Sequence, residues 1–136
     1  GDPETQVTIP LIESDLGLML LAASEGRLDE IKPRFSNKSA VTVVLASEGY
    51  PGPSNIGREI KGESVRIEDA DITAFVHQAG TLRGEGGVLL SNGGRVLSST
   101  GIANDLPTAV KAAYDVLNEI QLEGSHYRTD IAYRAL

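Results

Sequence analysis

The chain has 136 residues, a formal net charge of -7 and no cysteine. This length suits one domain, or a small domain with a fragment of another attached, and a hydrophobic fraction of 40% is ordinary for a globular protein. The missing cysteine excludes disulfide scaffolds, thiol nucleophiles and thiolate zinc sites. The 19 acidic and 12 basic side chains argue against a nucleic-acid-binding face, but they leave room for one basic pocket that binds a small anion.

The first residues, "GDPETQVTIP", contain no initiator methionine and have the character of a loop from the middle of a protein. We therefore expect the chain to be the C-terminal piece of a longer polypeptide. Within this stretch, Asp2 and Glu4 flank Pro3, whose ring fixes the backbone between the two carboxylates. Such a pair is suited to bind a cation, an ammonium group or a hydroxyl, and a solvated turn is the alternative interpretation.

A continuous apolar run predicts one helix before the first strand. The run Leu11–Ala23 is apolar on nearly every side, which is typical of a buried helix. Ser14 or Asp15 is the expected N-cap, and Gly26 is the expected end. Residues 27–38 are polar and predict a short helical turn followed by a linker.

The middle of the chain has the composition of strands and loops. Residues 39–48 are rich in β-branched side chains and predict a buried strand. The next stretch, "GYPGPSNIG" at 49–57, has three glycines and two prolines, which predicts a structured loop. That loop is either a rigid connection or a site lined by backbone N–H groups. A short strand is expected at 59–60, a longer one at 71–80 and a turn at 81–87.

A candidate anion site follows. Residues 88–91 and 95–99 flank the triplet Asn-Gly-Gly and predict a β-hairpin, because Asn-Gly suits the left-handed positions of a type I′ turn. Arg95 comes directly after the glycines. Glycines let a backbone approach a ligand closely, and the arginine fork matches phosphate oxygens. The turn is therefore a candidate phosphate site, with a ligand-free hairpin and a solvated arginine as the alternative.

The chain ends in a predicted amphipathic helix and a charged tail. Leu106–Gln121 has apolar side chains at spacings of three and four, with Asn104 or Asp105 as N-cap. The order of elements implies an α+β domain built on a mainly antiparallel sheet. His77 and His126 lack a third ligand at a metal spacing, so no zinc site is expected.

Five motifs stand in one order along the chain: "GDPETQ", "VVLASEGYPG", "HQAGT", "SNGGRVLSSTG" and "HYRTDIAYRAL". In this order and spacing they resemble the C-terminal third of the phosphoribosylamine–glycine ligases, a family of ATP-grasp enzymes. The resemblance covers essentially the whole chain. It implies that residues 1–38 are the end of an ATP-grasp module and a linker helix. Residues 39–136 are then a small, mainly antiparallel β-rich C-terminal domain with a packed amphipathic helix.

The resemblance also implies an activity. Enzymes of this family join glycine to 5-phosphoribosylamine in de novo purine synthesis, and ATP activates the glycine carboxylate as a glycyl phosphate. ATP and Mg²⁺ (or Mn²⁺) are expected to bind mainly to residues upstream of this chain, so the chain alone is expected to be inactive. The expected partners are these substrates and the rest of the same polypeptide in the cytoplasm, without nucleic acid or membrane.

The family's active site contains the "GDPETQ" motif. Gly1, Asp2, Pro3 and Glu4 are therefore expected to face glycine and the ribosylamine. Asp2 and Glu4 are the expected catalytic residues of this set. No metal ligand is expected within the chain.

The resemblance assigns a phosphate-binding role to the glycine turn. Arg95, with Gly93 and Gly94, is expected to hold the phosphate of phosphoribosylamine. A second substrate-binding set is expected in the loop after the first strand: Tyr50, Pro51 and Gly52. Gln78 stands where the family usually has histidine, which argues against an essential role for His77.

Two other functions stay open. One is another ATP-grasp purine enzyme with a different acceptor, such as a carboxylase, although "GDPETQ" and "HYRTDI" argue against it. The other is a non-catalytic interaction module whose sheet docks a partner protein.

Overall fold

A computed structural model describes residues 3–136 and shows a four-stranded antiparallel sheet with a helix on one face. The helices are α1 (Thr5–Thr8), α2 (Leu16–Ser24) and α3 (Leu106–Asn118). The strands are β1 (Ser39–Ala46), β2 (Ile67–Glu68), β3 (Thr73–Gln78), β4 (Thr81–Arg83), β5 (Leu89–Ser91) and β6 (Arg95–Ala103). Short 3₁₀ turns cover Ile9–Leu11, Leu28–Glu30 and Glu85–Gly87.

β6 lies at the centre of the main sheet, whose strand order is β1-β6-β3-β2. It pairs antiparallel with both neighbours, so that Ser99 stands opposite Val43 of β1 and Val76 of β3. β4 and β5 form a separate two-stranded antiparallel sheet. The predicted α+β class with a mainly antiparallel sheet is confirmed, and the strands predicted over 39–48 and 71–80 are β1 and β3.

α3 supplies the hydrophobic layer on one face of the main sheet. Leu117 on its inner side is 1% exposed, and the Asp105 side chain caps the helix at its first turn. A Cβ added to Gly101 would lie 2.2 Å from the carbonyl oxygen of Ala109. The helix therefore crosses β6 where the strand has no side chain. The predicted amphipathic helix and its Asp105 cap are confirmed, although the helix ends slightly before the expected residue.

The predicted hairpin over 88–91 and 95–99 is wrong. β5 pairs with β4, where Leu90 stands opposite Leu82. Both edges of β6 are already occupied by β1 and β3, so this strand has no free edge for β5. The two glycines of the turn have no positive φ, so the predicted type I′ geometry is wrong as well. Residues 81–83, expected to belong to a turn, are the strand that β5 pairs with.

α2 lies outside the packed region. As predicted, Asp15 caps its first turn, and Gly26, with a φ of 70°, follows its end. The predicted burial is wrong, because Leu18, Leu20 and Leu21 are 59%, 61% and 50% exposed. In the described part of the chain, α2 packs mainly against the neighbouring 3₁₀ turn, so most of its apolar side chains lack an opposing surface and only Ala22 is buried.

Smaller elements partly follow the predictions. The short helical turn expected within 27–38 is the 3₁₀ turn Leu28–Glu30. The short strand expected at 59–60 is only an isolated bridge between Glu59 and Leu90. Among residues 3–136, no helix combines the length and the apolar character needed to cross a membrane.

Candidate functional site

The glycine turn between β5 and β6 is fixed by Ser47, which directly follows β1. The Ser47 hydroxyl donates to the carbonyl oxygen of Gly93 at 2.8 Å, and the Ser47 amide donates to that of Gly94 at 2.8 Å. Ser47 is 2% exposed, so both bonds are shielded from water. Because the C=O and N–H groups of a trans peptide point in opposite directions, the Gly94 amide is turned away from Ser47.

Tyr50 brings the loop after β1 against the same turn. A Cβ added to Gly94 would lie 2.4 Å from Cδ2 of Tyr50 and 3.1 Å from the hydroxyl of Ser54. Glycine is therefore required at 94 by the close approach of an aromatic ring and not by a left-handed backbone. Of the predicted loop residues, Tyr50 contacts the turn, and Pro51 and Gly52 are exposed beside it.

The connection between β3 and β4 contacts the turn from another side. The amide of Asn92 donates to the carbonyl oxygen of Gly80 at 2.8 Å, and the amide of Gly80 donates to that of Arg95 at 2.9 Å. Gln78 is exposed and accepts a hydrogen bond from the Thr81 hydroxyl at 3.2 Å. Three of the five sequence motifs therefore meet around one glycine turn.

The loop over 48–58 is held by a carboxylate that the sequence interpretation missed. Oε2 of Glu48 accepts hydrogen bonds from Nδ2 of Asn55 at 2.7 Å and from Nη2 of Arg58 at 2.6 Å. Arg58 also donates to the carbonyl oxygen of Glu123 at 2.7 Å. The bond from Asn55, followed by that from Arg58, lowers the pKa of Glu48 below its ordinary value. The sequence does contain a signal for this contact: the acidic Glu48 precedes the glycine- and proline-rich loop, and the basic Arg58 follows it.

Arg95 stands where these segments meet. It is the first residue of β6, it is exposed, and it directly follows Gly94, whose amide is turned away from Ser47. A guanidinium next to a backbone N–H offers two kinds of donor to one anion. The structure thus brings together Tyr50, Gly93, Gly94 and Arg95 from the predicted substrate-binding set.

Only part of the "GDPETQ" motif can be located. Gly1 and Asp2 lie outside the described residues. Pro3 is partly buried, and Glu4 is exposed immediately before α1. The carboxylate of Glu4 is therefore accessible to a ligand at this surface.

The end of the same motif rests on the main sheet. α1 lies against β1, and Oε1 of Gln6 accepts a hydrogen bond from the hydroxyl of Ser98 in β6. Ser98 is three residues from Arg95 along β6, about 10 Å at the rise of an extended strand. The motif and the arginine are thus connected through one strand.

His77 is a packed strand residue. Its ring meets Phe75 edge to face with 4.9 Å between centroids, and its Nε2 is buried without a hydrogen-bond partner among the described residues. Burial lowers the pKa of His77, so the ring is neutral at neutral pH. Within residues 3–136, no group of three His, Asp or Glu side chains is arranged to hold a metal ion.

The charged residues of the tail "HYRTDIAYRAL", namely Arg128, Asp130 and Arg134, are suited either to form a surface ion-pair network or to help close a site. Arg128 forms a two-pronged ion pair with Asp130, with nitrogen–oxygen distances of 2.8 and 2.7 Å, on the surface. The Tyr114 hydroxyl donates to the carbonyl oxygen of Arg128 at 2.7 Å and so attaches the tail to α3. Arg134, the third charged residue, donates from Nε to the Tyr133 hydroxyl at 3.0 Å.

Comparison with known families identifies the group to which this fold and these motifs belong. Residues 40–134 match the C domain of phosphoribosylglycinamide synthetase. The chain belongs to this family. The match runs from β1 into the tail and confirms the resemblance drawn from the five motifs.

Several relatives extend over the whole chain. The bifunctional purine biosynthetic protein purD of Dictyostelium discoideum is 46% identical over 136 residues, which are 100% of this chain and 16% of that protein. Phosphoribosylamine–glycine ligase of Streptomyces coelicolor is 46% identical over 137 residues, covering 99% of this chain and 32% of the enzyme. The chain thus spans less than a third of either relative.

A solved structure has the same fold. The crystal structure of phosphoribosylamine–glycine ligase from Thermotoga maritima superposes with a TM-score of 0.68 at 31% sequence identity. The alignment covers 96% of this chain and 30% of that enzyme chain. The antiparallel α+β fold is therefore shared with a region of that enzyme.

Proposed function

We propose that the chain is the C-terminal part of a ligase that joins glycine to 5-phosphoribosylamine with ATP, in cytoplasmic de novo purine synthesis. The proposal is carried by 42% to 46% identity, over 99% to 100% of this chain, to proteins named phosphoribosylamine–glycine ligase. Because the chain spans less than a third of those proteins, the nucleotide site belongs to the rest of the polypeptide and the chain alone is inactive.

The proposed reaction has two steps. The terminal phosphoryl group of ATP moves to the glycine carboxylate, which gives ADP and a glycyl phosphate. The ribosylamine nitrogen then attacks the carbonyl carbon, so that a C–N bond forms and the C–O bond to phosphate breaks. Mg²⁺ or Mn²⁺ neutralises the phosphates when it is bound. We assign its ligands to the rest of the polypeptide and no step through the ion to the described residues, which offer no group of three ligands.

The glycine turn is assigned to the phosphate of the ribosylamine. The exposed Arg95 side chain and the amide of Gly94, turned away from Ser47, are both suited to donate to the same phosphate oxygens. Ser47 holds the carbonyl of Gly93 at 2.8 Å, so the turn keeps its shape before the ligand arrives. Tyr50 covers the turn, and the exposed Pro51 and Gly52 border the same surface.

The "GDPETQ" carboxylates are assigned to the amino groups of the substrates. A carboxylate is suited to accept hydrogen bonds from the ammonium group of glycine and to take up the proton that the ribosylamine nitrogen loses. Glu4 is exposed just before α1 and therefore accessible for this role. Asp2 is the second carboxylate of the proposal, and Gly1 and Pro3 border the same substrates.

Arg95 provides the direct test. The polypeptide that carries this chain is expressed, and glycine-dependent ADP release is measured at varied phosphoribosylamine concentrations. We expect Arg95→Ala to raise the KM for phosphoribosylamine about 10- to 150-fold, the equivalent of about 1.5–3 kcal/mol for a lost charged phosphate contact. Arg83→Ala is the matched control, because Arg83 is another exposed strand arginine, whose guanidinium donates to the Gly87 carbonyl.

The outcomes separate the parts of the proposal. An unchanged KM for phosphoribosylamine in Arg95→Ala removes this residue from the phosphate site. ADP release that depends on bicarbonate instead of glycine identifies a carboxylase. If neither acceptor supports ADP release, the interaction-module hypothesis gains, and the exposed leucines of α2 are the observation that favours it.

A further inference from the structure

The face of the main sheet opposite α3 carries a row of buried hydroxyl groups. Gly101 of β6 faces α3. Because successive side chains of a strand point to opposite faces, those of Thr100 and Ser98 lie on the face away from α3. They are 0% and 1% exposed. The Thr100 hydroxyl donates to that of Thr42 in β1 at 2.9 Å. Buried hydroxyls need such partners, because leaving one unpaired carries a desolvation penalty.

Gln6 provides the partner that completes this row. Its Oε1 accepts a hydrogen bond from the hydroxyl of Ser98 at 2.5 Å and lies 3.4 Å from the hydroxyl of Thr42, which also lies 3.2 Å from the carbonyl oxygen of Ser99. Apolar packing fixes α1 only weakly, because the helix has no buried residue and an open pocket beside it is lined partly by Pro3 and Val7. The Gln6 amide is therefore a specific polar contact that helps to set the position of α1 on the sheet.

We propose that Gln6 is a positioning residue for the ligase reaction, an inference that rests on the proposed function. Glu4 lies two residues before Gln6, and Ser98 lies three residues after Arg95 on β6. The Gln6–Ser98 bond thus links the segment that bears the carboxylate to the strand that bears the arginine. Misplacing a reacting group by about 1 Å can lower the rate about 100-fold, so this link is expected to affect kcat.

The hydrogen-bond pattern specifies what position 6 requires. The shorter of these contacts, from the Ser98 hydroxyl, ends on Oε1, so Gln6 acts here as a hydrogen-bond acceptor. Gln6→Glu keeps an acceptor of the same length, whereas Gln6→Met keeps the length and removes the acceptor. A role in positioning therefore predicts that Glu substitutes for Gln6 and Met does not.

The kinetic test uses the full polypeptide that carries this chain. We expect Gln6→Met and Ser98→Ala each to lower kcat about 10- to 100-fold with little change in the KM for phosphoribosylamine. We expect Gln6→Glu to retain most of the activity, and the Gln6→Met/Ser98→Ala double variant to lose little more than either single variant. Ser99→Ala is the control, because the Ser99 hydroxyl is equally buried but has no partner in the described chain.

Hydrogen exchange tests the anchor without relying on activity. The amides of Val7 and Thr8 both donate to the carbonyl oxygen of Glu4, at 3.1 and 3.0 Å, and report whether α1 stays in place. We expect Gln6→Met to accelerate their exchange and Gln6→Glu and Ser99→Ala to leave it unchanged.

The two readouts distinguish the possible failures. Unchanged exchange in Gln6→Met overturns the anchor, and so does Gln6→Glu behaving like Gln6→Met. Faster exchange with an unchanged kcat overturns the positioning role alone. If the unsubstituted polypeptide releases no ADP with glycine, the proposed function fails, and the exchange experiment still decides whether Gln6 holds α1.

Discussion

Helices α2 and α3 are both rich in apolar residues, yet they bury them to very different extents. Leu20 of α2 is 61% exposed, whereas Leu117 of α3 is 1% exposed. The apolar side chains of α3 form one stripe that faces the sheet, and those of α2 surround the whole helix, which packs mainly on a short turn within the described chain. An apolar sequence therefore predicts a helix, but burial depends on whether a second element supplies the opposing surface.

The largest expected effect comes from truncating the same side chain in each helix. Leu117→Ala leaves a cavity between α3 and the sheet and is expected to lower the free energy of unfolding by about 2–5 kcal/mol. Leu20→Ala removes an exposed side chain and is expected to change it by less than about 0.5 kcal/mol. Urea denaturation followed by circular dichroism measures both values. A comparable loss in the two variants would contradict the contrast between the helices.

Adding a methyl group tests the contrast in the opposite direction. Gly101→Ala places a Cβ 2.2 Å from the Ala109 carbonyl oxygen, so we expect a loss of about 1–3 kcal/mol as α3 is pushed away from β6. In α2, the nearest atom to a Cβ on Gly17 is Oδ1 of Asp15 at 3.2 Å, the oxygen that caps the helix, and it needs to shift by only a few tenths of an ångström. There we expect Ala to raise the helix content, because glycine disfavours a helix by about 1 kcal/mol.

Two measurements test the variants Gly101→Ala and Gly17→Ala. Thermal unfolding reports the packing of α3 in Gly101→Ala, and the circular dichroism signal at 222 nm reports the helix content in Gly17→Ala. A Gly101→Ala protein as stable as the parent would show that the sheet and α3 can separate without cost.

The elements predicted correctly have local signals. β-Branched residues marked β1 and β3, and the capped apolar stripe of 106–118 marked α3. The partner of β5 was mispredicted because Asn-Gly-Gly favours a local hairpin, while the actual pairing depends on β1 and β3 occupying both edges of β6. Strand pairing over long sequence distances is not encoded in any one segment.

The residues of the candidate site were also predicted only in part. The resemblance identified the glycine turn and Tyr50, and the structure adds the reason that they belong together, namely the ring lying against Gly94. Ser47 and Gln6 were missed, because serine and glutamine are common surface residues. Their roles arise from hydrogen bonds to Gly93 and Ser98, which only the folded chain brings within reach.

The smallest expected effect concerns the two helix caps and pH. Asp105 accepts a hydrogen bond from the backbone N–H of Thr108, and this bond lowers the pKa of Asp105 below its ordinary value of 3.8. A depressed pKa means that the stabilisation is complete above pH 3.8 and is lost as the pH falls through the lower pKa of the folded protein. The unfolding midpoint should therefore fall with acidification in that window, and Asp105→Asn, which keeps a cap acceptor without titrating, should flatten the dependence.

Asp15 is the corresponding cap of α2, because its side chain accepts a hydrogen bond from the Leu18 amide at 3.0 Å. Asp15→Ala, which removes this cap, should change the unfolding midpoint less than Asp105→Ala, since α2 contributes little to the packed core. Urea midpoints of the two alanine variants at neutral pH decide between the alternatives. An equal loss in both would mean that α2 unfolds together with the sheet domain. The exposure of its leucines would then be compatible with strong coupling to the core.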